Sequence, residues 1–277
     1  MTTPSTFQVG DIRVHALCDG ISKVPASYFK DADWAGHEAE LDDDGRFDLP
    51  IGCFLVETGD TKVLLDAGQG TAELHIDFPA GASMSGRMDI VGGDLPDQLA
   101  AAGFRPEDVD MVATTHLHND HVGWLVQGDD AYFPNATVRF GAADYAHFVG
   151  REGPAGEFHN HMMSVLGDRV NVIDGEGTIA PGIDALASPG HTPGHMLFAL
   201  SSGTSRALML GDSVNCPLQV EKTACEALGD LDPALARETR ERIMREIEGT
   251  DTMVGGPHFP GLQYGRVLAG VGRRYFV

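Results

Sequence analysis

Residues 116–121, His116-Leu117-His118-Asn119-Asp120-His121, place three imidazoles and one carboxylate within six positions, directly behind residues 109–114, which read as a buried strand. A neutral imidazole offers a nitrogen lone pair and a carboxylate offers a charge-neutralising oxygen, so donors packed this densely point to metal. The cluster also constrains the fold. It has to sit where a strand ends and the chain turns sharply, and its remaining partners have to come from other loops gathered on the same rim. His116 and His118 alternate by two and, in an extended turn, face one ion. Asp120 and His121 are displaced along the turn toward a second.

Three further donors complete the set. His191 lies in Ser188-Pro189-Gly190-His191-Thr192-Pro193-Gly194-His195, where glycines let the backbone turn sharply and hold the ring. Asp212 follows a strand-like run in Leu210-Gly211-Asp212, and His258 ends Gly255-Gly256-Pro257-His258. The expected first ion takes His116, His118 and His191, and the second takes Asp120, His121 and His258. Asp212 bridges them through its two oxygens. Two divalent ions about 3.5–4 Å apart lower the pKa of a shared water toward neutrality and clamp the oxygens of the reacting group. Asp120 is expected also to orient the resulting hydroxide by accepting its proton. His195 reads as a hydrogen-bonded partner that fixes its loop rather than as a ligand, and Asp66 as a carboxylate behind the ligands. His15, His37, His75, His147, His159 and His161 read as ordinary, with His159 and His161 at the border of a pocket.

The rest of the chain reads as short strands with helices between them. Strands are expected over 12–18, 53–57, 62–66, 137–141, 170–174, 183–188, 207–210 and 253–254. Helices are expected over 95–102, capped by Asp94, and from Asp232-Pro233 to Gly249. Residues 79–94, rich in glycine and small side chains, read as a long loop, and pocket walls are expected from 79–94, 144–163 and the residues after His258. This pattern implies an α/β fold with sheets inside and helices outside, in one domain over 1–277. The 19 basic residues against 41 acidic ones give a formal net charge of −22, which repels phosphate backbones and anionic lipid headgroups. No nucleic-acid or membrane role is therefore expected. Cys18, Cys53, Cys216 and Cys225 are scattered without a framework, so no disulfide is expected. With no basic, apolar leader in the first residues and no long apolar run, the expected address is the cytoplasm.

The pieces Leu65-Asp66-Ala67-Gly68, Thr115-His116-Leu117-His118-Asn119-Asp120-His121, Ser188–His195, Leu210-Gly211-Asp212 and Pro257-His258 resemble, in order, the motifs of the metallo-β-lactamase superfamily. The resemblance implies a four-layer αββα sandwich with the site on one rim. It also implies two divalent ions, zinc first and manganese, iron or cobalt otherwise, and homodimers among relatives. A bridging Asp212 departs from true β-lactamases, and His118 stands where the oxygen-reducing diiron relatives carry glutamate. The basic surface of the nuclease branch and the basic helical tail of glyoxalase-II-like thioesterases are not found. The stretch 188–195 is most similar to the branch of N-acyl-homoserine lactonases and methyl-parathion-type hydrolases. Those lactonases carry a tyrosine three residues past the bridging aspartate, where this chain has Asn215. The expectation is hydrolysis of a small lactone or other ester by metal-bridging hydroxide, with Asp120 and Asn215 as the catalytic side chains. Phosphotriester hydrolysis, glyoxalase-II-type thioester hydrolysis and non-catalytic metal binding are the alternatives.

Overall fold

The computed structural model describes residues 4–277, apart from the side chains of residues 154 and 155. Residues 1–3, the start of the stretch read for a leader, lie outside it. The first sheet is built from β1 (Ser5–Val9), β2 (Ile12–Pro25), β3 (Arg46–Thr58), β4 (Thr61–Leu65), β5 (Glu73–Phe78), β6 (Gly86–Val91), β7 (Met111–Ala113), β8 (Thr137–Gly141) and β9 (Val170–Ile173). Its order is β9-β8-β7-β4-β3-β2-β6-β5, with β1 also on β2. The second sheet runs β10-β11-β12-β13-β14-β15-β16 in sequence order: Gly177–Ala180, Ile183–Ala187, Met196–Ser202, Ser205–Met209, Met253–Gly255, Tyr264–Ala269 and Arg274–Phe276. The helices are α1 (Leu95–Ala101), α2 (Asn119–Val122), α3 (Ala142–Phe148), α4 (Pro154–Leu166), α5 (Pro217–Glu221) and α6 (Pro233–Ile247).

Side chains alternate across each strand, and here both faces are apolar, so both are buried. On β3, Phe54 and Val56 face inward to meet Phe198 and Leu200 of β12, forming the seam between the sheets. The intervening Cys53 and Leu55 face outward against Leu95 and Leu99 of α1 and Met162 and Leu166 of α4. On the far side, Leu197 and Val254 pack on Ile243, Met244 and Ile247 of α6. The layers are therefore helix, sheet, sheet, helix. No helix among the described residues is long and apolar enough to cross a membrane, and all four cysteines are free.

Three expectations are corrected. Residues 79–94 are not one loop: β6 pairs antiparallel with β5 along its whole length and with Ile21–Lys23 of β2. Asp94 sits at the cap position of α1 without a side-chain cap bond. Asp19 caps instead, its Oδ1 accepting from Leu95 N–H at 2.8 Å and Gly93 N–H at 3.2 Å. The strands expected over 12–18 and 53–57 continue to Pro25 and begin at Arg46, because Gly20 extends β2 rather than breaking it. The register of β2 against β3 shifts between Cys18 and Gly20, a bulge that turns Asp19 out of the ladder. A Cβ at Gly20 would stand 1.9 Å from Val91 O, so only glycine permits this approach. Asp232 does cap α6, accepting from Leu235 N–H at 3.0 Å.

Candidate metal centre

Strand β7 delivers the chain to the rim and stops at Ala113; the turn that follows carries His116 and His118, and the single turn of α2 carries Asp120 and His121. The loop after β11 brings His191, the turn after β13 brings Asp212, and the turn after β14 brings His258. All seven expected donors converge. His116, His118 and His191 form one group with donor atoms within 4.8 Å of one another, and Asp120, His121 and His258 form another. Within the first group, His118 Nδ1 lies 3.0 Å from both His116 Nε2 and His191 Nε2. Asp212 stands between the groups. Its Oδ2 is 3.3 Å from His191 Nε2, and its Oδ1 is 3.3 Å from His258 Nε2 and 3.4 Å from His121 Nε2.

The donor set fits cations. His121 Nε2 and Asp212 Oδ1 are buried and neither makes a hydrogen bond, a state that buried polar atoms otherwise avoid. Burial, then the neighbouring imidazoles, holds His116 well below the usual histidine range. Burial and His191 together lower His118 to about 3. Both rings therefore offer a free lone pair at neutral pH. His121 goes the other way: burial pushes it down, but Asp212, Asp66 and Asp120 outweigh burial and raise it to about 10. The carboxylates that draw a proton onto His121 are the ones that would draw a dication. A metal has to displace that proton. The apparent affinity of the metal-free protein for zinc is therefore expected to rise about tenfold per pH unit between about pH 6.5 and 9, which competition against a chromophoric chelator would measure. An affinity flat across that range would take His121 out of the binding set.

Three of the rings, His121, His258 and His191, are held from behind, which fixes the nitrogen each presents to the centre. Asp66 Oδ2 lies 3.0 Å from His121 Nδ1, and Asp66 Oδ1 accepts from Thr115 N–H at 2.7 Å. Pro50 O accepts from His258 Nδ1 at 2.7 Å. Asp230 Oδ1 lies 3.0 Å from His191 Nδ1. His195 is not among the clustered donors; its Nε2 accepts from Asp212 N–H at 2.9 Å and so positions Asp212, while its Nδ1 meets Ser188 Oγ at 2.7 Å. His159 does not reach the cavity either: its Nε2 donates to Leu117 O at 2.7 Å. Buried Asp144 ties the two histidine loops together, accepting from Leu117 N–H, Thr192 Oγ1 and Gly194 N–H.

Beside the cluster is a cavity of about 240 Å³. Five expected donors reach it directly: His118, Asp120, His191, Asp212 and His258. The facing wall is Ser22, Val24, Leu49, Met88 and Ile90. Ser22 pairs with Leu49 on one side and Ile90 on the other, so these residues line up across β3-β2-β6 on one face of the sheet. Residues 79–94 thus contribute wall residues, as expected, whereas the described residues of 144–163 and those after His258 contribute none. Asn215 does not line the cavity: it is 1% exposed, and its backbone N–H donates to Gln219 Oε1 at 2.8 Å. Tyr28 does line it, half-buried, its phenol pushed up by burial and then by Asp212, Asp120 and Asp230. Sequence reading missed Tyr28, Asp230 and Arg240, because none lies in or beside a motif.

The chain is similar to known proteins in sequence and in fold. An N-acyl homoserine lactonase of Bacillus cereus is 26% identical over 168 residues, 58% of this chain and 62% of that one. The N-acyl homoserine lactonase AttM of Rhizobium johnstonii is 28% identical over 221 residues, 72% of this chain and 75% of that one. The solved structure of AidC, a dizinc quorum-quenching lactonase in complex with a product, superposes with a TM-score of 0.83 at 20% identity, covering 99% of this chain and 97% of that one. Residues 46–257, which take in six of the seven clustered donors from His116 to Asp212, match one family model: the chain belongs to the metallo-beta-lactamase superfamily.

Proposed function

We propose that this chain opens a lactone, an N-acyl homoserine lactone first among them, at two divalent ions held by His116, His118, Asp120, His121, His191, Asp212 and His258. It is a metal-dependent ester hydrolase, like the lactonases it resembles. The observation that carries the finer reading is Asp212, whose two oxygens face opposite donor groups beside a cavity with an aliphatic wall. No Lys or Arg lines that cavity among the described residues. A substrate recognised there is neutral at its reacting end, which suits a lactone and disfavours an anionic thioester of glutathione type. The aliphatic wall suits an acyl chain.

Two divalent ions bound here would supply a nucleophile from water at neutral pH and polarise the carbonyl. The imidazole nitrogens and carboxylate oxygens suit zinc, with manganese, iron or cobalt as other candidates. The protein contributes placement. Asp120 Oδ2, 3.6 Å from His258 Nε2 and at the cavity wall, is positioned to take a proton from the attacking water and pass it to the leaving alkoxide. A neutral phosphotriester would meet the same wall and is the second reading.

The test is ring opening on a panel of acyl-homoserine, γ- and δ-lactones by zinc-loaded protein, with a chelated control and a phosphotriester alongside. Turnover of lactones that vanishes with the metal is the expected result. Faster triester hydrolysis would favour the second reading, and bound metal with no turnover of any ester would leave a non-catalytic metal-binding protein.

A further inference from the structure

The position three residues past Asp212 holds Asn215, and Asn215 is not at the cavity. A hydroxyl from a distant part of the chain is. Tyr28 ends the short turn Ala26–Tyr28 that follows β2. The next two residues, Phe29 and Lys30, pair antiparallel with Ala227 and Glu226, and Leu228 N–H donates to Tyr28 O at 3.0 Å. The same segment, 226–231, grips His191: Asp230 Oδ1 meets its ring, and Leu231 N–H donates to its carbonyl at 3.0 Å. Tyr28 and His191 are thus fixed to one another through a single stretch of backbone.

Gly229 shows how close they are. A Cβ built there would stand 3.2 Å from the Tyr28 hydroxyl and 3.0 Å from His191 Cε1. Gly229 itself lines the cavity, so the phenol and the imidazole look into the same small space across a residue with no side chain. Apart from Ser22 on the opposite sheet wall, Tyr28 is the one hydroxyl among the described residues lining it.

We propose that Tyr28 is a catalytic residue whose hydroxyl donates a hydrogen bond to the carbonyl oxygen of the bound lactone as negative charge develops on it. The proposal rests on the lactonase reading above. In the reaction, water adds its oxygen to the carbonyl carbon, the ring C–O bond breaks, and the proton released from that water ends on the alcohol. Tyr28 keeps its own proton throughout and acts through the hydrogen bond alone. Removing one such donor from an oxyanion site costs on the order of a hundredfold in kcat where donors act without a metal, and less where an ion shares the charge.

The experiment compares zinc-loaded wild type with Tyr28→Phe, which removes one oxygen and keeps the ring. Metal content, melting temperature, kcat and KM are measured, together with calorimetric affinity for a cyclic phosphonate that presents a tetrahedral, charged oxygen. The expected result is a kcat lower by about ten- to a hundredfold with KM within about threefold. Two ions per chain and an unchanged melting temperature should accompany it, with phosphonate binding weakened by a similar factor to kcat. An unchanged kcat, a loss that tracks lost metal, or a change confined to KM would overturn the role. Wild-type protein that opens no lactone would defeat the lactonase reading instead, and the phosphonate affinities would then still decide for or against Tyr28: equal affinity in the two proteins removes it.

Discussion

Asp212→Ala is expected to lose metal from both halves of the centre and to lower kcat/KM by on the order of a thousandfold or more, because it removes the one side chain that both donor groups share. Asp212 Oδ2 faces His191 and Oδ1 faces His121 and His258, each within 3.4 Å. Without it, five imidazoles and the single carboxylate of Asp120 would have to hold two dications, with only one negative charge against four positive ones. The burial that sharpens attraction to Asp212 sharpens the repulsion left behind. The backbone is not the source of the effect, since the bond from the residue 212 N–H to His195 Nε2 survives in alanine. Metal per chain by mass spectrometry and lactone ring opening would be read on the same sample. A variant that keeps two ions per chain would show that Asp212 does not bridge.

The donors could be read from the sequence because their chemistry is local. Four of the seven lie within six residues, and the other three sit in glycine- and proline-bounded turns that follow strand-like runs. The rim is where those turns end because every one of the runs is a strand of one of two stacked sheets. What was illegible depends on pairing across long separations. Strand β6 reads as loop because Gly86-Arg87-Met88-Asp89-Ile90-Val91 offers only a weak alternation between glycines, yet once β2 and β5 flank it, Met88 and Ile90 become cavity wall. Asp19 was passed over for Asp94 because Asp94 adjoins α1 in sequence, whereas Asp19 reaches that helix only through the bulge at Gly20. Asn215 and Tyr28 make the same point at the cavity. A position relative to a motif fixes the backbone address of Asn215 but not the direction of its side chain, while Tyr28 arrives from nearly two hundred residues away along the antiparallel pair with residues 226 and 227. Arg240 looks, in Thr239-Arg240-Glu241-Arg242, like one charge on a solvated helix face, and only the packed fold shows it to be buried.

That burial sets the second large expectation, which concerns stability first and the metal second. Arg240 and Asp230 have no exposed side-chain surface, and Arg240 Nη2 lies 3.3 Å from Asp230 Oδ2. The same guanidinium donates to Ser213 O at 2.8 Å, Thr223 O at 3.0 Å and Cys225 O at 2.8 Å, so it ties α6 to the turn beside Asp212 and to the segment that precedes Asp230. Arg240→Met fills much of the volume but takes the cation from a buried carboxylate, which keeps only His191 and the Ala227 N–H, and takes the guanidinium from three carbonyls, of which Cys225 O keeps Gln219 Nε2. Breaking a buried pair by removing one partner costs about 3–5 kcal/mol, which for a chain of this size lowers the melting temperature by roughly 10 °C or more. Asp230 is also the group behind His191, so its release should weaken metal binding by about ten- to a hundredfold, the usual effect of losing a partner that orients a ligand. Removing the charge from both residues in Arg240→Met/Asp230→Asn should recover part of the stability, because no carboxylate is then left uncompensated, but should not restore the metal affinity, since asparagine cannot hold the His191 ring as a carboxylate does. Calorimetric melting of the metal-free proteins and chelator competition on the loaded ones separate the two effects. A double variant that melts below the single one would mean that Asp230, through His191 and the Ala227 N–H, stabilises the fold even without Arg240.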